Sequence, residues 1–299
     1  MILAFTGATG FVGRHTVDRA LAAGHIVRAL ARRPQPARER VSWIEGALDD
    51  PVALTRLVTG ADAVVHIAGV VSAPDRAGFA AGNIDGTRAI VAAATAARVG
   101  RLVHVSSLAA REPGLSLYGW SKRKAEALVE ASPLWWTIVR PSGVYGPGDT
   151  EFLDMFRLAR FGLAFTPPAG RVSLVAVEDM ARLLVTLACT TEPRALYEVD
   201  DGTTLDHAGL AHAIGRAVGR ARLTPIALPA PLLRVAARLD RRWRGPKAKL
   251  TPDRVGYLLH PDWTADPALR PPADLWMPTV AAEAGLAATA RWYRQKGLL

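Results

Sequence analysis

The chain has 299 residues, half of them hydrophobic, which is enough for one large domain or two modest ones. Its formal net charge of +10 comes mostly from arginine, and these charges are dispersed along most of the chain, which favours a solvated surface over a nucleic-acid partner. No apolar run approaches the ~20 residues needed to cross a bilayer, and no secretory signal is visible. Cys189 is the only cysteine, which excludes an intrachain disulfide. We expect a cytoplasmic protein.

The chain begins with a strand, a glycine-rich turn and a helix. Residues 1–5 are apolar and predict the strand, and residues 14–23 predict the helix. Between them, Gly7 permits a tight turn, Gly10 lets the backbone approach a pyrophosphate, and Gly13 lets helix and strand pack closely. Because the N–H groups of a helix N-terminus bind anions, this segment predicts a dinucleotide site.

Strand and helix patterns then alternate through the first half of the chain. Strands are predicted at residues 25–31, 41–45, 63–67, 101–106 and 135–139, and helices at 50–58, 83–98 and 118–130. Near-continuous apolar strands separated by helices predict an α/β fold, a Rossmann-type doubly wound parallel sheet covered on both faces. Such sheets bind ligands at the carboxyl ends of their strands.

The pattern changes after residue 145, where proline becomes frequent. Helices are predicted at residues 176–187, 205–218 and 280–295, and a strand at 196–199. We predict a dinucleotide-binding domain at residues 1–165, to which segments within 171–200 return. A smaller, mostly helical substrate domain is predicted at residues 166–299.

A second chemical pattern follows the strand at residues 101–106. Tyr118 and Lys122 are four residues apart, on one face of the predicted helix. An ammonium group beside a phenol favours the phenolate and lowers the pKa of the phenol, which makes Tyr118 a candidate acid or base. Ser106 and Ser107 come at the end of the strand, where a hydroxyl can hydrogen-bond a substrate oxygen. An isolated Tyr-x-x-x-Lys pair is common surface spacing, but this one follows a predicted dinucleotide loop.

Six motifs in chain order resemble the extended short-chain dehydrogenase/reductase superfamily, which includes epimerase/dehydratase-type enzymes. They are TGATGFVG at residues 6–13, DAVVHIAG at 62–69, NIDGT at 83–87, the Ser107, Tyr118 and Lys122 set, RPSGVYGPG at 140–148 and VAVEDMA at 175–181. The resemblance covers nearly the whole chain and implies a nicotinamide dinucleotide as cofactor.

The resemblance also implies roles for the site residues. Tyr118 would exchange the proton of the reacting oxygen, and Lys122 would lower the Tyr118 pKa and hydrogen-bond the nicotinamide ribose. Ser107, rather than Ser106, would orient the substrate oxygen. Arg140 fits a structural role that anchors a loop as well as it fits a substrate contact. No metal site is expected.

Two arginines end the second predicted strand, where NAD sites usually carry an acidic residue. Arg32 and Arg33 suit a 2′-phosphate, because a planar guanidinium matches phosphate geometry, so NADP is favoured and NAD is the alternative. Leu48 follows Ala47 where the family often has Asp-Leu, so only packing on the adenine is expected of it. The predicted cofactor-binding residues are Gly7, Thr9, Gly10, Phe11, Val12, Gly13, Arg32, Arg33, Leu48, Ala68, Gly69, Tyr118, Lys122, Pro141 and Val144.

The residues after the candidate active-site serine bear on the type of reaction. Dehydratases of the superfamily usually carry Asp-Glu near the active-site serine, and this chain has LAARE at residues 108–112 instead, which argues against dehydration. Apolar segments at residues 161–165 and 228–233 favour a hydrophobic substrate. We predict an NADP-dependent oxidoreductase acting on a carbonyl or secondary alcohol. The alternatives are a nucleotide-sugar epimerase with a retained cofactor and a non-catalytic NADP-binding sensor or assembly factor.

One basic stretch, residues 234–249, departs from the dispersed charge. Within residues 232–244, Leu232, Ala236, Leu239 and Trp243 fall on one helical face among arginines. We interpret this as a core face with a solvated basic back, and contact with an anionic membrane is the alternative. The resemblance further implies a homodimer formed through the helices at residues 83–98 and 118–130.

Overall fold

The structure is a computed structural model that describes residues 1–245, 248 and 250–299. Pro246, Lys247 and Lys249, part of the predicted basic stretch, lie outside the described residues. Contacts divide the chain into two units. The first unit consists of Met1–Pro141, Glu178–Val199 and Pro267–Met277, and the second of Ser142–Val177, Asp200–Asp266 and Pro278–Leu299.

The first unit contains a seven-stranded sheet in which every neighbouring pair is parallel. Its strands are β1 (Ile2–Thr6), β2 (Ile26–Ala31), β3 (Val41–Glu45), β4 (Ala63–His66), β5 (Arg101–Val105), β6 (Trp136–Pro141) and β10 (Ala195–Val199). The order β10-β6-β5-β4-β1-β2-β3 confirms the predicted Rossmann-type fold. Because the chain proceeds outward from β1 to β3 and then returns to β4 on the other side of β1, the switch point lies between β1 and β4.

Helices cover this sheet because the strands between them are apolar on both faces. Leu3, Ala4 and Phe5 of β1 are completely buried. All four residues of β4 are buried as well. The helices are α1 (Phe11–Ala22), α2 (Pro51–Val58), α3 (Arg76–Phe79), α4 (Gly86–Ala96), α5 (Leu117–Glu130) and α7 (Val177–Cys189). A π-helical turn at Ala80–Asp85 precedes α4, and a 3₁₀ turn at Leu108–Arg111 follows β5.

The second unit mixes helices with short strands that the sequence pattern did not indicate. Its strands are β7 (Gly143–Tyr145), β8 (Leu163–Thr166), β9 (Arg171–Ala176), β11 (Thr204–Asp206), β12 (Thr224–Ala227) and β13 (Asp262–Trp263). Its helices are α6 (Leu153–Ala159), α8 (His207–Ala217), α9 (Ala230–Arg244), α10 (Pro252–Leu258) and α11 (Ala282–Gln295). Strands of two to six residues hold too few alternations to be recognised by periodicity.

The second unit begins at Ser142, earlier than the predicted boundary at residue 165. Strand β7 pairs with β9, and the ring of Phe156 in α6 packs edge-on against Tyr293 of α11 at 5.1 Å. These contacts draw residues 142–165 into the core of the second unit. Across the part of the chain that the structure describes, no helix has the length and apolarity needed to span a membrane.

Candidate active site

The glycine loop between β1 and α1 leaves no room for side chains at two positions. A Cβ atom on Gly7, whose φ is +75°, would lie 2.6 Å from the Ala68 nitrogen, and one on Gly13 would lie 2.0 Å from the Gly7 oxygen. Gly10 caps α1 without a side-chain hydrogen bond, and its N–H donates to the Gly7 oxygen at 3.0 Å. Glycine at these positions therefore brings bare backbone and a helix N-terminus together, the arrangement that binds phosphate.

The other predicted residues near this turn, and Leu48 after β3, are exposed or half-buried. Thr9 and Gly10 are exposed, whereas Phe11 and Val12, which open α1, are half-buried. Leu48 is half-buried, and it lies so close to Gly86 that a Cβ there would be 2.6 Å from its Cδ1. The structure thus leaves the loop accessible to a ligand.

Hydrogen bonds from three elements hold the backbone that follows β4. The Thr6 hydroxyl is bonded to Nδ1 of His66 at 2.6 Å and accepts from the Ala68 N–H at 3.3 Å. Nε2 of His66 is bonded to the Thr87 hydroxyl at 3.1 Å. Ala68 and Gly69 are therefore positioned at the switch point by the ends of β1, β4 and α4.

The two serines after β5 have different surroundings. Ser106 is buried, and its hydroxyl donates to Oε1 of Glu126 at 2.5 Å. Ser107 is half-buried and starts the 3₁₀ turn, where its hydroxyl oxygen accepts from the Ala109 N–H at 3.2 Å. That bond uses an oxygen lone pair, so the Ser107 O–H hydrogen is available for a substrate oxygen. The geometry favours Ser107 over Ser106.

Helix α5, which carries Tyr118, packs against the 3₁₀ turn that begins after Ser107. The Ser116 hydroxyl accepts from the Gly119 N–H at 3.0 Å and so caps the helix. A Cβ on Gly119 would lie 2.5 Å from the Ala109 oxygen, so α5 packs directly on the 3₁₀ turn that Ser107 begins. Tyr118, one residue before this contact, is half-buried, with its ring 6.4 Å from that of Phe79.

Lys122 lies one helical turn beyond Tyr118 and is buried. Its Nζ donates to the Val105 oxygen at 2.7 Å and is 3.7 Å from where a Cβ on Gly69 would stand. Burial lowers the pKa of Lys122 to about 8, although the charge of Glu126 acts in the opposite direction. The ammonium is therefore held between the end of β5 and the loop after β4, next to the switch point.

Asn83, quoted in the sequence motifs but given no site role, connects the loop to α5. Its side-chain oxygen accepts from the Val70 N–H at 2.8 Å, and its amide donates to the Val70 oxygen at 3.0 Å and to the Ser121 hydroxyl at 2.8 Å. Ser121 in turn donates to the backbone carbonyl oxygen of Tyr118 at 2.8 Å. Asn83 thus acts as a positioning residue between the Gly69 loop and the turn of α5 that carries Tyr118.

A chain of buried charges lies behind the serines; we call it the buried ion-pair chain. Both carboxylates in it are fully buried, and it runs through Ser106, Glu126, Arg140, Glu198 and Arg111. Arg140 binds Glu126 with two nitrogens at 2.7 and 2.8 Å, and reaches Glu198 at 3.3 Å. Arg111 binds the other oxygen of Glu198 at 3.1 Å. Arg140 therefore has the structural role that the sequence left open.

The remaining predicted residues lie in strands or directly after them. Arg32 and Arg33 are exposed and follow β2 immediately. Pro141 is buried at the end of β6 in the first unit, and Val144 is half-buried in β7 of the second unit. Sequence reasoning missed Glu126 altogether, although its spacing of four residues after Lys122 places both on one face of α5.

Known proteins resemble the chain in sequence and in structure. A family model described as NAD(P)H-binding matches residues 7–188. The chain is 40% identical to the ceramide reductase of Caulobacter vibrioides, over 100% of this chain and 96% of that protein. It is 33% identical to the 4-hydroxy-2-methyl-3-oxo-4-farnesyl-3,4-dihydroquinoline-1-oxide ketoreductase of Stigmatella aurantiaca, over 52% of this chain and 55% of that protein. Bordetella bronchiseptica WbmH, solved in complex with NAD⁺, has the same fold, with a TM-score of 0.75 at 22% identity over 99% of both chains.

The fold, the glycine loop and these matches define an enzyme class, that of NAD(P)-dependent oxidoreductases and epimerases built on a Rossmann-type sheet. The chain belongs to the NAD(P)H-binding family and is one of the extended short-chain dehydrogenase/reductase enzymes. The resemblance recognised from the six motifs is therefore confirmed.

Proposed function

We propose that the protein is an NADP-dependent reductase of a hydrophobic, lipid-like ketone, with Tyr118 as the proton donor. The observation that carries this proposal is the buried Lys122, one turn from Tyr118, whose Nζ lies between the Val105 oxygen and Gly69. Burying an ammonium is costly, and ionisable groups whose pKa is shifted by burial cluster at functional sites.

The substrate class is supported by the relatives. By name, the relative that matches the whole chain reduces a ceramide, and the partial relative is a ketoreductase of a farnesylated compound. A long hydrocarbon chain is common to both substrates. The sequence of this protein lacks the Asp-Glu pair of dehydratases, which agrees with simple reduction.

The residues present fit a nicotinamide dinucleotide, because the cradle at Gly7 and Gly13 excludes side chains and exposes backbone. When bound, that cofactor supplies a hydride to the carbonyl carbon. Tyr118 donates its phenolic proton to the carbonyl oxygen, and Ser107 holds the same oxygen with its O–H hydrogen. The Lys122 ammonium stabilises the phenolate that remains after the proton has left.

Two arginines after β2 support the proposed preference for NADP. Arg32 and Arg33 are exposed where the ribose 2′ position is bound in this fold. Their guanidinium groups pair with the 2′-phosphate, and residues 32–38 after β2 contain no acidic side chain to bind a free 2′-hydroxyl.

The test is the variant Tyr118→Phe, assayed by NADPH oxidation with a ceramide whose secondary alcohol has been oxidised to the ketone. Removing the proton donor should lower kcat by ~100-fold or more, while the Kd for NADPH, measured by fluorescence titration, stays within about twofold. Tyr197→Phe, on β10, is the matched control and should retain full activity. A fully active Tyr118→Phe enzyme would exclude Tyr118 as the donor. Turnover of a UDP-sugar without net NADPH oxidation would replace the proposal by an epimerase.

A further inference from the structure

Helix α9 of the second unit is anchored to its own core on one side only. Leu233 and Ala237 are buried and pack with Val255 of α10. Leu228, Leu250 and Leu259 surround this small cluster. Because α10 has only seven residues, it is too short to cover the whole length of the fifteen-residue α9.

A second apolar face of α9 faces solvent; we call it the exposed stripe. It consists of Leu232, Val235, Leu239 and Trp243, whose exposed fractions are 51%, 48%, 55% and 89%. At 100° per residue these four side chains fall within a sector of about 80°. The sequence interpretation of this face as a core face is wrong, because the core contact is made by the neighbouring face with Leu233 and Ala237.

Arginines border the exposed stripe. Arg234, Arg238, Arg241 and Arg242 are exposed and fall within the next sector of about 100° around the helix. The carboxylate that α9 itself carries, Asp240, is mostly buried, accepts from the Leu250 N–H at 2.8 Å and pairs with Arg244 at 3.3 Å. The solvent-facing part of the helix is therefore apolar along one strip and cationic along its border.

A groove on the α10 side of these arginines shares their cationic character. It has a volume of about 230 Å³ and opens between α9 and α10. Arg234 and Arg238 line it together with Val255, Gly256 and Leu259. An anionic headgroup fits this combination, since guanidinium groups bind phosphate and the apolar residues accept the adjoining hydrocarbon.

We propose that the exposed stripe docks the protein on an anionic lipid bilayer. A helix with large apolar side chains on one sector and arginines beside it lies in the plane of the interface, with its apolar sector among the acyl chains. Trp243 is suited to the headgroup level, and arginine side chains extend from there to the phosphates. The +10 net charge of the chain adds attraction to the same surface. This proposal rests on surface observations alone and holds whatever the substrate is.

The experiment is vesicle flotation of the full chain without substrate. Vesicles of phosphatidylcholine alone are compared with vesicles that also contain phosphatidylglycerol, each at low and high salt. We expect binding to the anionic vesicles at low salt, and weaker binding at high salt because salt screens the arginines. Absence of binding to anionic vesicles at low salt overturns the proposal.

Two pairs of variants separate the apolar and cationic contributions. Leu239→Glu with Trp243→Glu should abolish binding, and Arg238→Glu with Arg242→Glu should abolish its dependence on anionic lipid. The matched control is Val52→Glu on α2, which is 68% exposed in the first unit and should bind as the parent does. Circular dichroism and NADPH titration show that each variant is folded. Undiminished binding by the Leu239 and Trp243 variant contradicts the assignment.

A spectroscopic readout locates the contact on the helix. Brominated lipids should quench part of the tryptophan fluorescence of the parent protein. The protein has eight tryptophans, and replacing one of them by Trp243→Phe should remove most of the quenched fluorescence. The proposal would be rejected if the parent did not bind vesicles but dimerised with increasing concentration, and if the Leu239 and Trp243 variant did not dimerise. The exposed stripe would then be assigned to contact with a second copy of the chain.

Discussion

Lys122 combines a buried structural position with the chemical role that we propose for it. Its ammonium is bonded to the Val105 oxygen and buried at the end of β5. Desolvation disfavours the charged form, while Glu126, one turn further along α5, favours it. The resulting pKa of about 8 keeps Lys122 charged at neutral pH but places its deprotonation within the range of an ordinary pH profile.

This pKa predicts the pH dependence of reduction. The kcat for ketone reduction should be high below pH 8 and fall above it, as Lys122 loses the proton whose charge stabilises the phenolate. The Lys122→Arg variant keeps a positive charge at this position at higher pH. The activity that this variant retains should therefore decline at a higher pH than that of the parent. Lys124→Met, at an exposed position of the same helix, is the control and should keep the parent profile. A parent profile that stays flat to about pH 10 would contradict this role for Lys122.

His104 is a second buried group with an unusual environment. Within the described part of the chain, neither of its ring nitrogens has a hydrogen-bond partner. Its ring stacks on His66 with centroids 5.3 Å apart. Burial, followed by the charge of Lys122, lowers the pKa of His66 to about 3, and burial, Lys122 and His66 together lower the pKa of His104 well below its ordinary value. Both imidazoles are therefore neutral in the folded protein.

The two histidines predict a loss of stability in acid. Below pH 6.5 the unfolded chain binds protons that the folded chain does not, so the free energy of unfolding falls as pH falls from about 6.5 towards 3. Each histidine contributes up to ~1.4 kcal/mol per pH unit in that window. In urea unfolding at pH 7.5 and pH 5, His104→Phe should reduce this acid dependence. His212→Gln, at an exposed position of α8, should keep it. An unchanged slope in His104→Phe would mean that His104 does not titrate as proposed.

At the scale of elements, the buried ion-pair chain joins parts that are distant in sequence. Glu126 belongs to α5, Arg140 to β6 and Glu198 to β10, and Arg111 ends the 3₁₀ turn that Ser107 begins. Desolvation alone lowers the pKa of Arg140, but its hydrogen bonds to Glu126 and Glu198 raise it overall. The buried ion-pair chain therefore holds the segment that follows β5 against both α5 and the edge strand β10.

Breaking one pair should be costly because a buried charge loses its partner. Glu126→Gln should lower the free energy of unfolding by ~3–5 kcal/mol, measured by denaturant titration. Asp85→Asn removes an exposed ion pair with Arg88 and should cost less than about 1 kcal/mol. An equal effect of the two substitutions would show that the buried charges are solvated or replaceable.

At the scale of the whole molecule, cofactor binding is linked to stability. A ligand that binds only the folded chain stabilises it by ~2.7 kcal/mol at about 100 times its Kd. If NADP is the cofactor, NADPH should raise the melting temperature more than NADH at equal concentration. The double substitution Arg32→Ala and Arg33→Ala should remove this difference. It should weaken the binding of NADPH ~10–100-fold, which corresponds to the loss of one or two charge-assisted hydrogen bonds.

Arg38→Ala is the matched control for that comparison. Arg38 is an exposed arginine of the same loop and is paired with Asp18 at 2.6 Å. Its removal should leave the preference for NADPH intact. Equal stabilisation of the parent by NADH and NADPH would overturn the proposed NADP preference and leave the catalytic assignment untouched.

The sequence by itself determined the fold of the first unit and the composition of the candidate site. Alternating strands and helices are periodic patterns within short windows, and the glycine loop is contiguous, so both are readable without tertiary contacts. The order of Ser107, Tyr118 and Lys122 along the chain, together with the family resemblance, indicates them as site residues. The positions of Gly7 and Gly13 in the structure agree with the close approaches expected of them.

Only the tertiary structure decided which charges are paired and which apolar faces are covered. Arg140 and Glu198 are 58 residues apart, and no local period indicates that β6 and β10 bring them together. Likewise, the amphipathic pattern of α9 shows that an apolar face exists, but it does not show what packs on it. The exposure of Trp243 depends on how little of α9 the short helix α10 covers, and that is a property of packing between elements.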